Sequence, residues 1–199
     1  HVIKEYFQNY ALYNSDITFD FRPGGKKVVE KTSAEPWQVT VADTGYDTKT
    51  ARRVKLVEPY IGKEPFLLTY GDGVADVDLN ALLALHRKCG KYCTITATKP
   101  ESRFGFLELD GENVVSFREK SKQDVSYINS GYMVMEPDVF AYLTENEMLE
   151  AGPMDRLTLD HQVVAYRHEG FWHCMDTLRD QMKLEKMWNE GRAPWKVWE

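Results

Sequence analysis

The sequence predicts an α/β sandwich built on a mixed sheet. Three observations predict it. The apolar runs Phe66–Thr69 and Ile128–Met135 have the length and composition of buried strands. Leu79–Cys89 carries apolar residues at helical spacing and is followed by Gly90, a residue suited to a C-terminal cap. Such strands and helices alternate over much of the chain, with hairpin patterns inserted among them.

The elements follow in order. Val2, Ile3, Tyr6, Phe7 and Tyr10 predict a helix over 2–13 with no capping residue before it. A chain rarely starts inside a helix, so the true N-terminus is expected to be absent. Residues 17–21 alternate as a strand and stop at Pro23-Gly24-Gly25. Short β-rich runs stand at 28–31 and 38–42. The polar segment 43–53 reads as a loop entering a helix with Arg52, Arg53, Val54 and Val57. Strand Phe66–Thr69 leads into Tyr70-Gly71-Asp72-Gly73, and helix Leu79–Cys89 into a strand at 92–98. Residues 104–109 and 114–117 flank Asp110-Gly111 as a hairpin. Strand Ile128–Met135 holds Gly131, and an internal strand glycine often marks close approach of a ligand or backbone. A short helix opens at Pro137, a strand is expected at 162–166 and a helix at 177–189. The aromatic tail, 190–199, is expected to pack down.

At 199 residues the chain suits one domain, and its 43% apolar content is that of a globular protein. Lys and Arg number 25 against 31 Asp and Glu, a net charge of −6. That balance argues against a nucleic-acid-binding face but leaves room for a local phosphate pocket. No stretch has the length of a membrane span, and no signal peptide opens the chain. The cysteines are Cys89, Cys93 and Cys174, with no CxxC pair. Gly90 and Lys91 separate the first two into a helix and a strand, so they read as plain buried thiols, and a reducing, cytoplasmic setting follows.

Chemistry centres on Tyr70-Gly71-Asp72-Gly73. The glycines let the backbone turn and approach a ligand. Asp72 stands at the carboxyl end of a strand, where ligands bind in open α/β sheets, and one or two carboxylates with phosphates suit Mg²⁺. An ordinary Asp-Gly turn is the other reading. Asp176 is the best partner for Asp72, although judged alone it reads first as the cap of the helix that follows. Lys120 can hold an anion as a point charge and Glu119 can accept from sugar hydroxyls, or both are exposed strand-end charges. Asn129 can read a sugar ring or merely enter a turn. Arg53 can clamp phosphate or belong to a wet helix face with Arg52 and Lys55. Arg103 reads as solvated. His168 and His173 have no zinc spacing and read as structural. Asp76-Val77-Asp78 has the spacing of a glycosyltransferase metal motif, but Asp78 reads as a helix cap. No GxSxG, HExxH, EF-hand or P-loop string occurs.

EPWQVTVADTG, FLLTYGDGVADVD, RFGFLEL, FREK, INSGYMV, GFWHCMDTLRD and APWKVWE occur in one order over nearly the whole chain. In this the chain resembles the sugar-1-phosphate nucleotidylyltransferase family, and EPW…DTG, GFW…MDT and the aromatic tail favour its cytidylyl branch. The family's opening strand and GGxGTRL loop are missing, so the resemblance implies an N-terminally truncated chain. It implies a three-layer α/β/α sandwich, Rossmann-like, with a mixed, mostly parallel sheet. It implies formation of CDP-glucose and pyrophosphate from CTP and α-D-glucose 1-phosphate with Mg²⁺. Asp72 and Asp176 would be the metal ligands, and Gly71 would lie against phosphate. Thr48 and Arg53 would contact the nucleotide; Glu119, Lys120, Asn129 and Gly131 would hold the sugar phosphate. A cytoplasmic homo-oligomer serving cell-surface polysaccharide synthesis is the implied setting.

Overall fold

The computed structural model describes residues 1–100, 105–110, 112–119 and 126–198, without the side chains of 105–110 and 116–119. The chain packs as two compact units, His1–Asp47 and Thr48–Glu199, each described by itself.

In the first unit the predicted helix is two: α1 (Val2–Gln8) and α2 (Tyr10–Tyr13), separated at Asn9. β1 (Ser15–Phe19) pairs antiparallel with β2 (Lys27–Thr32) around a turn in which Gly24 takes φ +81°. The run 38–42 forms no strand, contrary to expectation. Its β-favouring side chains have no ladder partner to bond with, and β-propensity without a neighbour does not make a sheet.

The second unit opens with α3 (Thr50–Ile61), β3 (Phe66–Thr69), β4 (Gly73–Ala75), α4 (Leu79–Cys89) and β5 (Cys93–Thr98). The predicted hairpin follows as β6 (Gly105–Asp110) and β7 (Asn113–Glu119). Then come β8 (Ile128–Met135), a 3-10 turn (Pro137–Ala141), α5 (Pro153–Leu159), β9 (Val163–His168), β10 (Trp172–Cys174) and α6 (Leu178–Asn189). The main sheet has the order β3-β8-β5-β9. β8 is antiparallel to both neighbours and β5 parallel to β9. Three strands therefore run one way and one the other, the mixed sheet expected.

Alternation along β8 decides the layers, because successive strand side chains face opposite ways. Met133 and Met135 join Ala51 of α3, Cys93, and Met154 and Leu157 of α5 in one buried cluster. Val134 joins Val77, just before α4, and Leu82 of α4 in another. The sheet is thus covered on both faces. Cys93 lies fully inside, and burial pushes its thiol up to about 12.

α4 matches its predicted limits because both ends are capped. Asp78 Oδ1 accepts the Ala81 N–H at 2.9 Å, and Gly90 takes the left-handed φ of +57°. Asp78→Ala is expected to lower unfolding stability by about 1 kcal/mol, read from urea denaturation. His86 of this helix is buried and satisfied, with Nδ1 2.8 Å from Thr94 Oγ1 and Nε2 3.1 Å from Glu136 Oε1. Helix α5 has no counterpart in the sequence reading. Gly152 and Pro153 announce a turn there, yet Pro suits the first helical position.

Candidate active site

β3, β5 and β9 run in one direction, so their carboxyl ends share an edge with the start of β8. The ladder between β3 and β8 continues one bond past Thr69, where Tyr70 N–H donates to Gly131 C=O at 3.2 Å. The chain then leaves the sheet at Gly71 and Asp72. From the end of β9 it turns through 169–171 into β10. β10 pairs antiparallel with β4, with Cys174 opposite Gly73 and His173 opposite Val74. One more bond follows, from Met175 N–H to Asp72 C=O at 2.7 Å. This short ladder sets the segments of Asp72 and Asp176 side by side, and both residues are exposed.

Two hydrogen bonds moor the ladder to the main sheet. Trp172 Nε1–H donates to Ser130 C=O at 2.8 Å, and Tyr132 O–H to Gly73 C=O at 2.8 Å. Sequence reading missed β4 and β10 because three-residue strands are too short to carry a period.

Asp176 does not cap α6. Thr177 does, through Oγ1 accepting the Asp180 N–H at 3.2 Å, and Asp180 Oδ2 returns the bond to Thr177 N–H at 3.0 Å. Asp176 Oδ2 accepts from the Cys174 thiol at 3.0 Å. Among the described residues no three His, Cys, Asp or Glu side chains gather as a metal cluster. A cation at this edge would rest on two carboxylates plus water and substrate oxygens. That donor set fits Mg²⁺, which keeps several waters and takes one or two carboxylates with phosphates.

Gly71 borders open space: a Cβ built there meets no atom within 4 Å. Gly131 is the reverse. It is buried at φ +84°, and a Cβ would come within 3.0 Å of the Tyr70 ring. Asn129, half-buried, turns its Oδ1 onto the Gly131 N–H at 2.9 Å. Part of its amide is therefore committed to shaping the start of β8.

Tyr70 was not singled out from sequence. Its hydroxyl donates to the Glu150 carboxylate, and burial with that carboxylate holds the phenol well above its ordinary range. Glu150 ends a loop that caps α3 from outside. Lys49 N–H donates to Asn146 Oδ1 at 2.9 Å, Ala51 N–H to Glu147 C=O at 3.1 Å, and Leu149 N–H to Thr50 Oγ1 at 2.7 Å. Thr48, just before α3, and Arg53, in its first turns, are half-buried. Their helix start is thus tied through 146–150 to Tyr70, next to Gly71 and Asp72. An aromatic residue across a ladder from a strand glycine is the signal that could have found Tyr70.

Glu119 closes β7 opposite Gly105. Its side chain, Lys120 and Arg103 lie outside the described residues. Asp76 and Asp78 are both occupied structurally. Asp76 Oδ1 accepts the Phe171 N–H at 2.7 Å and lies 3.1 Å from His168 Nε2, while Asp78 caps α4. Neither His168 nor His173 sits in a metal cluster; His173 Nε2 lies 3.4 Å from Asp180 Oδ1. Trp195 of the tail stacks on Phe171 with centroids 5.5 Å apart.

Comparison with known proteins shows the family and the fold. The nucleotidyl transferase family matches residues 16–173. The chain is 45% identical to the glucose-1-phosphate cytidylyltransferase of Salmonella typhi, covering 100% of this chain and 78% of that protein. Identity and coverage are the same, 45%, 100% and 78%, for the glucose-1-phosphate cytidylyltransferase of Salmonella typhimurium. Among solved structures, UDP-glucose pyrophosphorylase complexed with UDP-glucose superposes with a TM-score of 0.54 at 16% identity, over 75% of this chain and 65% of that one. That last likeness is one of fold.

Proposed function

The chain belongs to the nucleotidyl transferase family, and from that premise we propose that it makes CDP-glucose and pyrophosphate from CTP and α-D-glucose 1-phosphate. The observation that carries this reading is the β4–β10 ladder, which puts Asp72 beside the Asp176 segment at the sheet's carboxyl edge.

In the reaction a phosphate oxygen of the sugar phosphate attacks the α-phosphorus of CTP in line. A phosphorus–oxygen bond forms as the bond to pyrophosphate breaks. Both reactants are anionic, so the task is to align them and offset their charge. Asp72 and Asp176 would hold Mg²⁺, which when bound supplies charge neutralisation between the two phosphates. Thr48 and Arg53 hold the nucleotide, a guanidinium fork being matched to phosphate oxygens. The open space at Gly71 admits a phosphate close to the backbone. Glu119, Asn129 and Gly131 hold the glucose moiety, and Lys120 offsets the charge of its phosphate. No side chain is needed as a base, because a phosphate monoester is already ionised near neutral pH. The same reading makes the protein a cytoplasmic homo-oligomer in nucleotide-sugar synthesis for cell-surface polysaccharide.

The test is pyrophosphate release by the full-length protein with glucose 1-phosphate, Mg²⁺ and, in turn, CTP, UTP, dTTP, ATP and GTP. CTP is expected to turn over fastest. A faster reaction with another triphosphate overturns the base assignment, and silence with all five overturns the transferase reading.

A further inference from the structure

Asp180 is a buried carboxylate with no part in the chemistry above, only 7% exposed. Burying such a charge is costly unless several groups satisfy it. Its Oδ2 accepts both the N–H of Thr177 at 3.0 Å and the O–H of Thr177 at 2.7 Å. Its Oδ1 lies 3.4 Å from Nε2 of His173. An ordinary capping box holds only the helix start. Here the same carboxylate also lies within ion-pair distance of His173 on β10, so it faces the chain on both sides of Asp176. His173 in turn stands opposite Val74 of β4, the strand that begins one residue after Asp72.

We propose that Asp180 is a positioning residue that fixes the segment from His173 to Thr177, whose Met175 pairs with Asp72, so that Asp176 is held beside Asp72. The inference rests on reading Asp176 as a metal ligand. A cation bound by two exposed protein carboxylates is sensitive to small displacements of either.

The test uses the full-length protein. Mn²⁺ binding is followed by electron paramagnetic resonance, and the Mg²⁺ concentration for half-maximal rate is measured alongside. Asp180→Asn is expected to weaken Mn²⁺ binding and raise the Mg²⁺ requirement by roughly tenfold or more, the usual cost of losing support behind a metal ligand. KM for glucose 1-phosphate is expected to stay unchanged. Thr177→Ser keeps the hydroxyl and should behave as the parent, while Thr177→Ala shares the defect. The Thr177 pair decides the matter if Asp180→Asn fails to fold. Unchanged Mn²⁺ affinity and Mg²⁺ requirement in Asp180→Asn, or in Thr177→Ala, reduces Asp180 to a helix cap and overturns the proposal. Asp176→Asn is the control: if it binds Mn²⁺ as the parent does, the metal assignment fails instead.

Discussion

Replacing Asp72 by Asn in the full-length protein is expected to lower kcat for CDP-glucose formation by about 10²–10³-fold, or about 3–4 kcal/mol of barrier. The change keeps the shape of the side chain and removes its charge. Stability should hardly move. Asp72 is exposed, and the bond that fixes its segment uses its backbone carbonyl, which accepts from Met175 N–H. An exposed substitution of this kind stays within about 0.5 kcal/mol. Initial rates of pyrophosphate release, set against urea denaturation, separate the two effects. Asp176→Asn should show the same division. The double variant should lose much less than the product of the single losses, since both act through one site. Near-normal turnover in both single variants removes the two carboxylates from the reaction.

Gly131→Ala is expected to damage stability and activity together. The left-handed conformation at φ +84° costs an alanine about 1–2 kcal/mol. The new Cβ would also lie 3.0 Å, 3.1 Å and 3.3 Å from Cδ2, Cγ and Cβ of Tyr70. That ring has little freedom to withdraw. Its hydroxyl is held by Glu150, and its backbone N–H bonds the Gly131 carbonyl. Strain and contact together should cost about 2–4 kcal/mol in urea denaturation. Because Tyr70 leads directly into Gly71 and Asp72, its displacement is expected to lower kcat as well. Gly90 supplies the comparison. It too is left-handed, at φ +57°, but a Cβ there meets no atom within 4 Å. Gly90→Ala should therefore cost only the backbone part, about 1 kcal/mol, and leave turnover intact. Equal losses at Gly131 and Gly90 would show that the Tyr70 contact carries no weight.

Strands and helices with a long, clear period were legible in the sequence. β3, α4 and β8 take the limits their patterns predict, because an apolar stripe of four to eleven residues specifies both period and buried face. The run at 38–42 read the same way and failed, because a strand needs a partner that composition cannot name. Helix α5 escaped notice behind a Gly-Pro pair that serves equally as turn and helix start.

The candidate site divides along the same line. Asp72 was visible because the residues around it are local: a strand, a glycine on either side, one carboxylate. Asp176, Asn129 and Gly131 were legible as local candidates, but not the bond from Trp172 to Ser130 that joins their segments. Whether Asp176 caps the helix that follows depended on Thr177 and Asp180. The tie from Tyr70 through Glu150 to the start of α3 joins residues far apart in the chain, and no period or motif marks such a pair.

What the amino-acid order determined by itself was therefore the local choice at each segment: which face is buried, where a helix is capped, where a glycine frees the backbone. Only the tertiary structure decided which candidate segments run side by side, since that follows from the β4–β10 ladder and the direction of β3 and β9. The reason is physical. Periodicity and capping are interactions among near neighbours, whereas the pairing of two strands of three residues each is settled by what the whole sheet leaves beside them.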